Sequence, residues 1–125
     1  VDSGQREATN LLQALPKMDA LWNHDDDQGI GVLAAIKQAN RSEFIMIGGA
    51  GSKAAIESIQ KDDTVLKATV TYSPSMASSA ISLARLVAQG RGLSDLVELS
   101  VPKDITLASE TITKENAANY LQLGF

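Results

Sequence analysis

Short apolar runs alternating with amphipathic helices constrain this chain more than any other feature. Residues 19–23, 44–47 and 66–72 read as strands, the last with β-branched residues spaced between Leu66 and Tyr72. Between them, residues 27–40 carry Ile30, Leu33, Ala34 and Ile36 at helical spacing. Residues 52–60 do the same with Ala55, Ile56 and Ile59, and Ser52 stands as the cap. Strands joined by helices of this length pair in parallel through crossover connections. The pattern predicts an α/β fold: an open, mainly parallel sheet flanked by helices. A helix at 5–15, capped by Asp2 or Ser3, precedes the first strand and stops at Pro16. Pro74 opens another at 75–89, ended by Gly90-Arg91-Gly92. Residues 96–101 and 105–108 are two further strand candidates, and a last helix is expected from Thr113 to Tyr120.

At 125 residues the chain is long enough for one domain with a real core. The net charge of −4, with Lys and Arg scattered, lacks the basic patch that a nucleic-acid surface requires. No apolar run approaches the ~20 residues that span a bilayer. The absence of cysteine removes thiolate chemistry, disulfides and Cys-ligated zinc. His24 is the single histidine, and Gly49-Ala50-Gly51-Ser52 is not a nucleophile elbow, so no reaction and no cofactor is expected.

In open α/β sheets, ligands bind at the carboxyl ends of the strands. Three features fall there. The first is His24-Asp25-Asp26-Asp27, between a strand and a helix. As a metal site it is poor: adjacent side chains diverge, and no second acidic cluster sits at a matching strand end. Helix capping accounts for two of the acids, assigned to Asp26 and Asp27, which leaves Asp25 to accept from a ligand. Trp22, within the strand, is expected in the core. The second feature, residues 49–54, loosely matches a dinucleotide fingerprint, but no acidic residue ends the next strand to accept from ribose. Glycines here instead let a ligand approach backbone amides. The third is Tyr72-Ser73-Pro74, where Tyr72 either packs against a sugar face or is a half-buried core aromatic.

Taken together, these segments resemble the carboxyl-terminal half of periplasmic sugar-binding proteins of the ribose/galactose type. Residues 25–36 are similar to the family's Asn-Asp-Glu-Met-Ala-Leu-Gly-Ala segment, and Met46-Ile47-Gly48-Gly49-Ala50-Gly51 to its Val-Val-Gly-Phe-Asp-Gly turn. Residues 66–74 correspond to the strand ending in Gln-x-Pro, and 112–121 to the tail Val-Thr-Lys-x-Asn-Val-x-x-Tyr-Leu of transport receptors. The resemblance implies one incomplete lobe of a type I periplasmic binding protein, flavodoxin-like or Rossmann-like in topology. It implies a second lobe at 1–72, a hinge and helix at 73–102 that pack on an absent first lobe, and a return strand and tail at 103–125. It further implies a receptor that captures a sugar or polyol and delivers it to the membrane permease of an ABC importer. The location would be periplasmic or extracellular, with or without a lipid anchor on the full-length parent.

By position, the resemblance places Asp25, Gly49, Ala50 and Tyr72 at the ligand, with Arg6 matching the family's ligand-binding arginine ahead of the first helix. Two positions depart from the pattern. Ala50 stands where many members have a carboxylate, and Tyr72 where many have Gln. Without its first lobe the chain would expose an apolar face, so a partner lobe or a second copy is expected to cover it. Two rivals remain: the effector-binding core of a lac-repressor-type regulator, and a nucleotide-dependent enzyme built on residues 49–54.

Overall fold

The computed structural model describes residues 1–93 and 99–125. Its elements, in order, are α1 (Asp2–Ala14), β1 (Ala20–Trp22), α2 (Asp26–Gln38), β2 (Ile45–Ala50), α3 (Lys53–Lys61), β3 (Leu66–Thr71), α4 (Met76–Ala88), β4 (Thr111–Thr113) and α5 (Ala117–Tyr120). The strands form one sheet in the order β1-β2-β3-β4. β1, β2 and β3 run parallel, and β4 is antiparallel to β3. Parallel neighbours follow from the crossover helices α2 and α3, which carry the chain back to the start of each new strand.

The chain divides into two compact units. One comprises Val1–Thr71 with Ser109–Phe125, and the other Tyr72–Ala108. In the first, one sheet face presents Met46, Leu66 and Ile112 to Ala8 and Leu12 of α1, Val32, Ala35 and Ile36 of α2, and Ile56 and Ile59 of α3. Met46, Ile56, Ile59 and Ile112 are almost wholly enclosed. Each such side chain contributes about 1.5–3 kcal/mol of burial. In the second unit, α4 buries none of its residues.

Several sequence expectations change here. Helix α1 begins at Asp2 with Val1 as N-cap, so Asp2 and Ser3 lie inside its first turn and neither caps it. Of the strand candidate at 96–101, residues 96–98 lie outside the described residues, and 99–101 form no strand. Residues 105–108 form no strand either; the extra strand is Thr111–Thr113. Its central Ile112 fills the core, whereas Ile105 and Leu107 are exposed. The last helix shrinks to four residues. Asn116 ends β4 by accepting from the Thr113 N–H at 2.8 Å and donating to the Thr111 carbonyl at 3.0 Å, which fixes a turn before any helix starts.

Candidate functional site

The carboxyl ends of β1 and β2 meet at one edge of the sheet. Asp25 leaves β1 in an extended conformation and caps α2, its Oδ1 accepting from the amides of Asp27 at 2.9 Å and Gln28 at 3.4 Å. This corrects the expected division of labour, in which Asp26 and Asp27 were the capping groups. The extended backbone places the carboxylate of Asp25 over the first free amides; the next two residues are already helical and cannot reach back. Asp27 is exposed in the first turn, where its charge favours the positive helix end.

Asp26 turns the other way and is 5% exposed. Its Oδ2 accepts from the amides of Gly51 and Ser52, each at 2.9 Å, and the Thr69 hydroxyl lies 3.1 Å from Oδ1 and 3.0 Å from Oδ2. Burial pushes its pKa above the ordinary carboxylate value, and these hydrogen bonds pull it back down. Sequence reasoning missed this role. The available signal was Thr69, a hydroxyl midway along a strand of the parallel sheet, which calls for a partner when buried.

The turn after β2 is held close to β1. A side chain at Gly49 would place its Cβ 2.8 Å from the His24 carbonyl oxygen, so glycine alone lets the two strand ends approach. Ala50 has φ 133°, a left-handed value that L-residues rarely adopt, and Gly51 follows at φ 80°. Such a residue costs about 1–3 kcal/mol and persists where its surroundings over-determine it. Ser52 then caps α3, its Oγ accepting from the Ala55 amide at 3.3 Å.

The structure therefore brings Asp25, Gly49 and Ala50 to neighbouring turns, with Ala50 itself only 4% exposed. It does not bring Arg6 to them. That residue lies on α1 with its guanidinium paired to Glu7 at 3.1 Å, along a shallow groove with Asp2, Gln5 and Thr9. Tyr72 follows the last residue of β3, opens the second unit and is about half exposed.

Trp22 is also corrected: it is 68% exposed and packs against His24, with ring centroids 4.4 Å apart and planes inclined by 32°. Its strand lies at the sheet edge, and its side chain projects from the face opposite the helices, alongside exposed Ile45 and Val70. A groove of about 510 Å³ lies beside β1, between Leu21 and Trp22 on the strand and Gly4, Ala8 and Leu11 on α1.

An open sheet with strand-end turns over capped helices defines an α/β ligand-binding architecture. Residues 1–92 match the model of the periplasmic binding protein domain. The chain belongs to that family. Over 67 residues it is 37% identical to the ribose import binding protein of Bacillus subtilis (strain 168), a match covering 54% of this chain and 21% of that one. It is similar to an ABC transporter solute binding protein from Mycobacterium smegmatis solved with bound glycerol. That likeness has a TM-score of 0.81 at 25% identity and covers 97% of this chain and 40% of the other. The periplasmic component of the arabinose ABC transporter of Shewanella sp. ANA-3, solved with L-arabinofuranose, shares the fold at TM-score 0.71 and 22% identity, over 96% and 38% of the two chains. The chain thus spans about a fifth of the curated relative and two fifths of the solved ones.

Proposed function

We propose that the turns after β1 and β2 form one wall of a cleft for a sugar or polyol. The protein acts as a periplasmic solute-binding receptor and hands its ligand to the permease of an ABC importer. The observation that carries this is the close approach of Gly49 to the His24 carbonyl, one residue before Asp25, at adjoining strand ends. A carboxylate there accepts from ligand hydroxyls, and a glycine turn leaves its backbone groups open to approach. Ala50 sets the shape of that turn, and the remaining contacts come from the first lobe on closure. Membership in the periplasmic binding protein family, and relatives named for ribose import or solved with glycerol and arabinofuranose, support the choice of ligand class.

Calorimetric titration of the full-length protein with D-ribose, D-galactose, L-arabinose, allitol and glycerol tests this reading. At least one is expected to bind. Binding of a nucleotide and of none of these would overturn it. The diagnostic variant is Asp25→Ser, because serine keeps the helix cap while withdrawing the carboxylate. It is expected to leave the apo melting temperature nearly unchanged and to lower sugar affinity by about tenfold or more, the loss of a charge-assisted hydrogen bond.

A further inference from the structure

The Asp26 side chain is tied to all three parallel strands. It starts α2 immediately after the β1 turn, accepts from two consecutive amides of the turn after β2, and is braced by the hydroxyl of Thr69 on β3. Thr69 is fully buried and also accepts from the Gly51 amide at 3.3 Å. A Cβ at Gly48 would lie 2.3 Å from Asp26 Oδ1, so the carboxylate occupies space that only glycine leaves open. Its covalent neighbour is Asp25, and the amides it grips directly follow Ala50, the residue with the left-handed φ.

The geometry points to Asp26 as the positioning residue of the ligand site. Resting on the sugar-cleft reading above, it holds the Asp25 turn and the Gly49–Gly51 turn in register before ligand arrives. One charged oxygen, Oδ2, accepting from both the Gly51 and the Ser52 amides fixes the turn that Ala50 would otherwise leave. A wall built this way does not have to be ordered by the ligand, and ordering is a cost that falls directly on affinity. Asp26 is enclosed and touches no ligand itself, so its effect passes through the turn it holds.

A carboxylate serving only the core would lower stability and leave the affinity of the folded protein unchanged. The test therefore compares full-length wild type with Asp26→Asn, well below both melting temperatures, with circular dichroism confirming that each is folded. The asparagine amide leaves only a neutral oxygen for the Gly51 and Ser52 amides, in place of the charged Oδ2, and turns an NH2 toward the Thr69 hydroxyl, so the charge-assisted hydrogen bonds that hold the turn are lost. Exchange of those two amides is expected to quicken, and affinity for whichever panel sugar or polyol binds wild type to fall by about tenfold or more. Folded Asp26→Asn with wild-type affinity, or with wild-type exchange at Gly51 and Ser52, would overturn the assignment. If Asp26→Asn does not fold, Thr69→Val and Thr69→Ser decide. The valine variant should weaken binding and loosen the same amides, and the serine variant should restore both; a valine variant indistinguishable from wild type overturns it. Failure of wild type to bind any panel member is a separate outcome: it removes the sugar-cleft reading, and this role with it.

Discussion

Ala50 holds a backbone geometry that its side chain resists. Glycine at this position would relieve the strain at φ 133° at the loss of one small buried methyl group. Ala50→Gly is therefore expected to stabilise the fold by about 1 kcal/mol, read as a higher midpoint in urea denaturation. A lower midpoint would mean that the buried methyl group and the entropy of the unfolded chain outweigh the backbone strain. At this scale the acidic triplet shows where sequence reasoning stops. The stretch at 24–27 visibly marked a strand-to-helix boundary, but which acid faced the helix, the core or the solvent depends on backbone direction at the end of β1. Asp25 takes the capping role expected of Asp26, and Asp26 turns into the core, for that reason, and a string of three like residues carries no sign of it. Trp22 was expected in the core because it lies within a strand, whereas it projects from the sheet face opposite α1, α2 and α3 and is 68% exposed.

Among the elements, the periods of α2 and α3 and the cap of α3 were readable because they are local. Ser52, the inward positions Ala55, Ile56 and Ile59, and the breaks at Asn40 and Asp62 all lie within one or two turns of the helices they define. The fourth strand was not readable, because what selects Thr111–Thr113 over residues 105–108 is pairing with β3, a partner distant in sequence. Asp62 links these elements. It ends α3 in a left-handed conformation, and its carboxylate meets Lys67 of β3 at 2.5 Å and Lys114, just after β4, at 3.0 Å. The two ammonium groups hold its pKa at about 2, below the ordinary 3.8. A carboxylate with a lowered folded-state pKa favours folding above the unfolded value and loses that contribution as pH falls toward the folded one. Asp62→Asn, which keeps a residue tolerant of the left-handed conformation, should lower the urea midpoint slightly at pH 5 and leave it unchanged near pH 2, to within about one pH unit. An equal loss at both pH values would assign the effect to the helix end instead of the ion pairs.

For the whole molecule, the sequence pattern conveyed an α/β sheet of mostly parallel strands, and the family resemblance covered nearly the full chain. The resemblance also implies an uncovered helix within 73–102, but not a bare face on the sheet. Helix α4 buries nothing, and Ile81, at 72% exposure, is typical of its apolar residues. A helix of three to four turns is marginal in water without a packed face. Trp22, Ile45 and Val70 leave a second apolar surface on the sheet. The 125-residue chain on its own is thus expected to self-associate and to bind a hydrophobic dye. Light scattering after size exclusion should give a mass above that of one chain, and a dye-negative monomer would contradict this. Hydrogen exchange should show α4 opening at far lower cost than β2 and β3.

The antiparallel pairing of β4 with β3 sets an order of events during synthesis. Everything from Tyr72 to Ala108 separates the two strands along the chain, yet Ile112 and Ala117 are among the most completely enclosed side chains of the core. The ribosome makes the three parallel strands first, but their shared core stays unsealed until the final stretch emerges. A core that needs β4 beside β3 closes only after the whole intervening stretch has been made, and such non-local pairing folds slowly.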